Sequence, residues 1–346
     1  MNKKVLGIIG GGQLGMFICI ATRKVGVKTV IYSNEEHFSA KEFCDHYFVG
    51  DTGDEIKIDE FIDSADFFTI ETENIPKEFL RKIKNQKKLF PSSEIIEIAQ
   101  NRLKEKKFLN NIIGIKTAPY FEINDFEELK TYSKEFGYNC ILKTQEFGYD
   151  GKGQYIIKNS NLEKFKNLNL TNFILEKKIN FHLEISVIVI GNHIKMIHYP
   201  PVENHHKHSI LRQTIFPANI SEKISEKAIK MALKISRSLK LEGVLAVEMF
   251  VTKDAKILIN ELAPRPHNSG HWTMDSSKFS QFDNLVSLII KNEVRVPNVF
   301  RKCKMINIIG KDYLKFKTIK KKFIAYDYYK KQVRPSRKMG HYIDFE

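Results

Sequence analysis

The chain has 346 residues, of which 42% are hydrophobic, and its 56 Lys and Arg residues against 41 Asp and Glu give a formal net charge of +15. A chain of this length buries more than one core, so we expect two or three domains. No apolar run is long enough to cross a bilayer, and the amino terminus leads directly into a strand pattern; both favour a cytoplasmic protein without a membrane partner. The four cysteines lack a Cys-x-x-Cys spacing, which argues against a disulfide framework and a structural zinc site.

The positive charge is spread along the chain and is not organised as a basic repeat with interleaved aromatic residues. We therefore expect an anionic small-molecule substrate rather than a nucleic acid. Residues 301–346 are locally extreme, with 14 Lys and Arg against 4 Asp and Glu. A basic segment of this kind can bind a substrate phosphate.

The amino-terminal pattern predicts a βαβ unit, with strands at residues 5–9 and 28–32 around a helix at residues 13–25. The connecting turn matches G-x-G-x-x-G, and an acidic residue follows about 20 positions on. Taken literally, this motif predicts a nicotinamide-dependent dehydrogenase. The same turn also serves any doubly wound domain, so it is a weak signal alone. The residues concerned are Gly10, Gly12, Gly15 and the pair Glu35 and Glu36.

Residues 67–76 predict a strand followed by an acidic loop at its carboxyl end, where open α/β sheets bind ligands. A helix predicted over residues 101–113 carries Arg102 and Lys106 on one face. The strand at residues 140–143 then leads into a glycine-rich segment at residues 147–154. Backbone N–H groups of such a loop can surround phosphate oxygens, although a glycine-rich hairpin without a ligand has the same composition.

Two further segments carry candidate ligand contacts. The strand predicted at residues 173–179 can present its backbone to an adenine edge, and Glu176 or Glu184 can accept ribose hydroxyls. Residues 203–208 contain three histidines in a predicted loop. Their irregular spacing favours ordinary loop or ligand contacts over a tetrahedral zinc site.

A β-hairpin predicted over residues 244–261 places two carboxylates opposite each other. A turn centred between Asp254 and Ala255 pairs Glu248 with Glu261, where like charges would destabilise the sheet. A Mg²⁺ ion between them, with Asn260 nearby, would offset this repulsion and would carry nucleotide phosphates. The alternative is a pair of surface glutamates in a different register.

These residues together resemble the ATP-grasp superfamily. Within it, the sequence of residues 259–272 closely resembles that of the 5-(carboxyamino)imidazole ribonucleotide synthase family of purine biosynthesis. The resemblance extends to residues 12–15, 71–75, 148–154, 306–310 and 334–341, and it therefore covers nearly the whole chain. It implies ATP-dependent carboxylation of 5-aminoimidazole ribonucleotide by bicarbonate, through carboxyphosphate, with ATP and Mg²⁺ bound.

The resemblance also implies the roles of individual residues. Arg265 would bind bicarbonate, and His267 and Asp150 would position the amine or accept its proton beside Tyr149. Glu248 and Glu261 would hold Mg²⁺. The expected nucleotide-binding residues are Arg102, Lys143, Gly148, Tyr149, Asp150, Gly151, Lys152, Gly153, Gln154, Glu176, Lys177, Lys178, Ile179, Glu184, His206, Asn260 and Glu261. The expected ribonucleotide-binding residues are Gln13, Leu14, Glu73, Asn74, Asn268, Ser269, Lys331, Arg334, Arg337 and Lys338.

The fold expected is mixed α/β and α+β: a Rossmann-like domain at residues 1–95, a two-lobed ATP-grasp domain at 96–295, and a small basic carboxyl-terminal β module at 296–346. We expect a homodimer. Two alternatives stay open: another ATP-grasp ligase with an acyl-phosphate intermediate, and a Rossmann dehydrogenase, which would leave the two glutamates without a role.

Overall fold

The computed structural model describes residues 4–146, 148 and 153–346. The amino-terminal domain is a parallel sheet in the order β3-β2-β1-β4-β5, covered by helices. The inner strands are apolar on both faces, as a sheet covered on both sides requires. Its elements are β1 (Val5–Ile9), α1 (Gln13–Arg23), β2 (Lys28–Ser33), β3 (His46–Val49), α2 (Glu55–Asp63), β4 (Phe67–Ile70), α3 (Lys77–Gln86), β5 (Lys88–Phe90) and α4 (Ser93–Gln100).

The first lobe of the central region is an antiparallel sheet in the order β6-β9-β7-β8. The helix predicted over 101–113 ends as an α-helix at Lys107 and continues as a wider π-helical turn, Phe108–Ile112. The elements of this lobe are α5 (Arg102–Lys107), β6 (Tyr120–Ile123), α6 (Phe126–Glu135), β7 (Cys140–Thr144), β8 (Gln154–Ile157), a 3₁₀-helix (Asn159–Phe165) and β9 (Phe173–Lys177).

The second lobe belongs to a larger antiparallel sheet in the order β15-β14-β10-β12-β13-β16-β18-β17, with β11 beside β10. Its elements are β10 (Phe181–Gly191), β11 (Met196–His198), β12 (Val202–Lys207), β13 (Ile210–Phe216), α7 (Glu222–Ser238), β14 (Gly243–Thr252), β15 (Ile257–Ala263), a 3₁₀-helix (Asn268–Gly270), α8 (Thr273–Ser276) and α9 (Gln281–Lys291).

The prediction of a loop at residues 203–208 is wrong, because residues 203–207 belong to strand β12 and His208 lies in the turn that follows. The strand is polar even where it is buried, so the alternation of apolar residues that indicates a strand is missing. Its buried Asn204 is satisfied by hydrogen bonds, donating to Ser186 Oγ at 2.9 Å and accepting from Thr214 Oγ1 at 2.9 Å. Buried polar groups are tolerated when they are paired in this way.

The carboxyl-terminal strands continue the large sheet through the pairing of β16 with β13. They are β16 (Cys303–Ile309), β17 (Ile324–Asp327) and β18 (Lys338–Phe345), accompanied by a 3₁₀-helix (Gly310–Lys315) and α10 (Phe316–Lys320). A core cluster joins residues of α1, α9, β10 and these strands, so the amino- and carboxyl-terminal parts pack against the same apolar surface. No helix among the described residues has the length and apolar composition needed to cross a bilayer.

Candidate active site

A cleft of about 760 Å³ lies between the amino-terminal domain, both central lobes and the start of β18. Most of the residues expected at the site meet there. The expected site residues that line the cleft are Gln13, Leu14, Glu73, Asn74, Arg102, Lys143, Gly148, Gln154, Glu176, Lys177, Lys178, Ile179, Glu184, His206, Glu248, Asn260, Glu261, Arg265, His267, Asn268 and Lys338.

A smaller group lies off the cleft wall. Gly153, Ser269, Lys331, Arg334 and Arg337 are described but do not line it. The remaining expected residues, Tyr149, Asp150, Gly151 and Lys152, lie outside the described residues.

The hairpin places Glu248 opposite Glu261, as predicted, but its turn and its strand register differ from those predicted. The strands pair Val251 with Ile257, so the turn is one residue tighter than expected and centres on Asp254. A bulge then inserts Asn260 as an extra residue on β15, which restores the pairing of the two glutamates. Both carboxylates therefore line the same cleft.

The two glutamates offer a site suited to a hard cation. Burial and the neighbouring Glu261 raise the pKa of Glu248 to about 7, so a positive ion would relieve a real electrostatic cost. Within the part of the chain that is described, no group of three or more His, Cys, Asp or Glu side chains could hold a metal. Two carboxylates and an amide suit Mg²⁺, which commonly takes its other ligands from phosphate and water.

His267 lies against this pair. Its Nε2 is 3.2 Å from Glu248 Oε1, and its Nδ1 accepts the backbone N–H of Ser269 at 3.3 Å. Its Nδ1 also lies 2.8 Å from Ser269 Oγ, so Ser269 occupies the Nδ1 side of the ring while Nε2 faces Glu248. Burial, reinforced by Arg265 and Lys338, holds the pKa of His267 well below its usual range, so the ring is neutral.

A buried triad of charges lies at the first lobe. Glu176 accepts a hydrogen bond from Lys143 Nζ at 2.8 Å, and its other oxygen is 3.4 Å from Lys106 Nζ. Burial would raise the pKa of Glu176, but the two lysines lower it to about 2. Sequence reasoning placed Lys106 on the same helix face as Arg102 without assigning it to the site. Its burial beside Glu176 depends on β9, about 70 positions further along the chain.

Arg102 contacts the backbone at the start of the glycine-rich segment. Its guanidinium donates to Thr144 O at 3.1 Å and to Gly148 O at 2.9 Å. On the opposite wall Glu184 contacts His206, and Glu184 with Glu248 raises the pKa of His206 although burial alone would lower it.

Glu105 is a cleft residue that sequence reasoning missed. It accepts the backbone N–H of Leu262 at 2.8 Å, and burial raises its pKa to about 8. It lies one turn after Arg102 and directly before Lys106, but nothing in its local pattern marks it.

Arg265 forms a bidentate ion pair with Glu73 of the amino-terminal domain, with Nη2 donating to Oε1 at 3.0 Å and Nε to Oε2. The pair joins segments 192 positions apart. Burial would raise the pKa of Glu73, but Arg265 lowers it.

The glycine-rich turn before α1 holds a carboxylate of the chain itself. Gly12 N and Gly15 N donate to the two oxygens of Glu71 at 2.7 and 3.2 Å. A Cβ on Gly12 would lie 2.5 Å from Glu71 Oε1, so the glycine makes room for this contact. These N–H groups are the ones that a dinucleotide pyrophosphate would need, which argues against the dehydrogenase alternative.

At the carboxyl-terminal edge only Lys338 of the four expected basic residues lines the cleft. Arg337 lies 3.6 Å from Glu35 Oε2, and Lys331 lies 3.0 Å from His37 Nε2. Behind the cleft, Asn307 donates to Asn268 Oδ1 at 2.6 Å and so ties a cleft residue to β16.

Known family models match three successive parts of the chain. Residues 2–100 match the ribonucleotide synthetase preATP-grasp domain, residues 108–282 the ATP-grasp domain, and residues 303–343 the phosphoribosylaminoimidazole carboxylase C-terminal domain. The three matches follow the order of the three expected domains. The individual boundaries at 95 and 295 stay a prediction.

The chain is similar to whole proteins as well as to domains. It is 36% identical to N5-carboxyaminoimidazole ribonucleotide synthase of Bacillus subtilis, covering 97% of this chain and 90% of the relative. A crystal structure of an ADP complex of N5-carboxyaminoimidazole ribonucleotide synthetase superposes with a TM-score of 0.94 at 34% identity, covering 100% of this chain and 94% of the other. An Aspergillus clavatus structure in complex with ADP and 5-aminoimidazole ribonucleotide gives 0.90 at 27% identity, with coverages of 100% and 94%.

Proposed function

The chain belongs to the N5-carboxyaminoimidazole ribonucleotide synthase family of ATP-grasp ligases, and we propose that it carboxylates 5-aminoimidazole ribonucleotide with bicarbonate at the expense of ATP. The observation that carries the proposal is the convergence of three segments on one cleft. The cleft is lined by lysines of the first lobe and by the paired glutamates of the second lobe. Glu73 of the amino-terminal domain and Lys338 of β18 complete the lining.

In the proposed reaction a bicarbonate oxygen attacks the γ-phosphorus of ATP, and the bond to ADP breaks. The amine nitrogen of the ribonucleotide then takes the carboxyl group from carboxyphosphate, or from the CO₂ that it releases, and phosphate leaves. The protein's task is to position these groups and to stabilise the charge that moves during transfer.

The nucleotide end of the cleft is built around Lys143. Glu176 holds its ammonium in place, so the lysine meets the phosphates in a fixed position. Burial lowers the pKa of Lys106 itself, but its position beside Glu176 helps to hold the pKa of that carboxyl low. Arg102, through Thr144 O and Gly148 O, holds the glycine-rich segment against the cleft. The contribution of Asp150, Tyr149 and Lys152 stays a prediction.

Mg²⁺ would be held by Glu248 and Glu261, with Asn260 beside them, and would neutralise phosphate charge during transfer. The Nε2 of His267 lies 3.2 Å from Glu248 Oε1 and would orient that carboxylate. Because the ring is neutral and its Nδ1 already accepts a backbone N–H, a positioning role fits His267 better than proton acceptance.

The carboxylation end would use Arg265 for bicarbonate, because a guanidinium matches a planar anion bidentately. Gln13, Leu14, Asn74 and Asn268 line the same end and would contact the ribonucleotide, and Lys338 would meet its phosphate. We also propose that the protein is cytoplasmic and that it forms a homodimer. Sedimentation of the purified protein would test the homodimer.

The direct test uses purified protein with ATP, Mg²⁺ and bicarbonate, and measures phosphate release as 5-aminoimidazole ribonucleotide is added. We expect this ribonucleotide to stimulate release and labelled bicarbonate to appear in an acid-labile product. Stimulation by formate or an amino acid in place of bicarbonate would instead favour the other ligase class. Absence of any response to the ribonucleotide would refute the proposal.

A further inference from the structure

Arg265 lines the cleft with one of its bidentate edges already occupied. Its Nη2 and Nε donate to the two oxygens of Glu73, the parallel arrangement in which a guanidinium holds a carboxylate most strongly. Its Nη1 donates to Pro266 O at 3.3 Å. Glu73 therefore holds the Nη2 and Nε edge while Nη1 contacts Pro266 O, so a planar anion that takes the Nη2 and Nε edge must compete with Glu73.

The geometry allows Glu73 to leave without unfolding its loop. Its carbonyl accepts hydrogen bonds from Gln100 Nε2 at 2.5 Å and from Ile75 N at 2.9 Å, which anchor the backbone independently of the side chain. The side chains of Glu73 and Arg265 are 21% and 19% exposed. Both face the cleft, so a ligand can reach the pair and exchange with either partner.

We propose that the Glu73–Arg265 pair is a latch that keeps bicarbonate off Arg265 until the ribonucleotide draws the Glu73 carboxylate away. This rests on the proposed function. The ribonucleotide offers amine N–H and ribose O–H donors, and an ionised carboxylate is an acceptor only, so Glu73 can exchange the guanidinium for these donors. Arg265 is then released to hold bicarbonate.

The latch gives the protein a way to couple its two substrates. Carboxyphosphate formed without an acceptor amine breaks its C–O bond to give CO₂ and phosphate, so ATP is hydrolysed without carboxylation of the ribonucleotide. An anion site that opens only when the ribonucleotide is present prevents this loss. A ligand that binds only a minor open state has its apparent affinity reduced by the population of that state.

A purely structural tie between the domains is the competing explanation, and the chain contains a matched control for it. Glu242 binds Lys88 at 2.7 Å and joins the amino-terminal domain to the second lobe, but it does not line the cleft. Glu242→Gln removes one carboxylate from the domain interface as Glu73→Gln does. It leaves Arg265 untouched.

The test measures phosphate release with ATP, Mg²⁺ and subsaturating bicarbonate, in the absence of the ribonucleotide. We expect Glu73→Gln to raise this release about tenfold over the unmodified protein, because the open state becomes the major one. Glu242→Gln should leave it unchanged. Adding Arg265→Lys to Glu73→Gln should abolish the rise, since an ammonium cannot offer the bidentate edge.

The latch is overturned if Glu73→Gln shows no bicarbonate-dependent rise, if Glu242→Gln shows an equal one, or if the rise survives Arg265→Lys. Should Glu73→Gln fail to fold, Glu73→Asp, one methylene too short to keep both bonds, should raise release in the same direction. The unmodified protein is assayed with the ribonucleotide in the same series. If the ribonucleotide does not stimulate phosphate release by the unmodified protein, the proposed function is refuted. If it does, but Glu73→Gln releases no more phosphate than the unmodified protein in its absence, the latch alone is refuted.

Discussion

Glu71 shows how a single residue changes the meaning of a sequence motif. The glycine turn before α1 satisfies the spacing of a dinucleotide-binding fingerprint, but its N–H groups bind the Glu71 carboxylate. Burial raises the pKa of Glu71, and the hydrogen bonds from Gly12 and Gly15 oppose that rise. The positive end of α1 is thus used to hold a carboxylate of the chain itself, not a phosphate.

Lys330, beside this carboxylate, provides a pH prediction. Burial, with Arg337 and Lys338 nearby, lowers the pKa of Lys330 from 10.5 to about 8. Between these two values the unfolded chain binds a proton that the folded protein does not, so the free energy of unfolding should rise with pH from 8 toward 10.5. Lys330→Met should lose this rise. Urea unfolding of both proteins from pH 7.5 to 9.5 measures it, and parallel pH profiles would contradict the assignment.

The β14–β15 hairpin is the element on which the metal proposal depends. Simple turn arithmetic predicted the right glutamate pair with the wrong turn, because a tighter turn and a bulge at Asn260 cancel each other. A bulge depends on how the strand fits its neighbours and cannot be read from alternation of apolar residues. Without it, one glutamate would point to the opposite face of the sheet.

The turn itself carries a testable strain. Ala255 has φ +59°, a conformation that costs a residue with a Cβ about 1 kcal/mol and costs glycine little. Ala255→Gly relieves this strain but gives the unfolded chain more conformational freedom, which costs about 0.5 kcal/mol, so the free energy of unfolding should rise by about 0.5 kcal/mol without a change in activity. Lys253→Gly, in the same turn but without positive φ, should lower it by about 0.5 kcal/mol. Equal effects in thermal unfolding would show that strain at Ala255 is not the cause.

At the level of the whole molecule, the strands of the carboxyl-terminal β module extend the large sheet of the second lobe. The pairing of β16 with β13 brings the first residue of β18, Lys338, to the cleft wall. The amino-terminal domain reaches the same cleft from the other side through Glu73. The site is therefore complete only when all three segments are folded together.

This arrangement predicts a selective effect of Lys338→Ala. Loss of its positive charge should raise the KM for 5-aminoimidazole ribonucleotide about tenfold, as expected for one charge-assisted phosphate contact, and the KM for ATP less than about twofold. Lys322→Ala removes the same charge from an exposed position after α10 and should change neither constant. Steady-state kinetics with each substrate varied would decide, and an equal rise in both constants would remove Lys338 from the ribonucleotide site.

Spacing and alternation along the chain were sufficient to predict the parallel amino-terminal sheet and the pairing of Glu248 with Glu261. These features depend on neighbouring residues or on one hairpin. The contact of Glu73 with Arg265 and the burial of Lys106 needed the tertiary structure, because separate sheets must pack before such distant side chains can meet. Local patterns contain no information about which surfaces of two packed layers face each other.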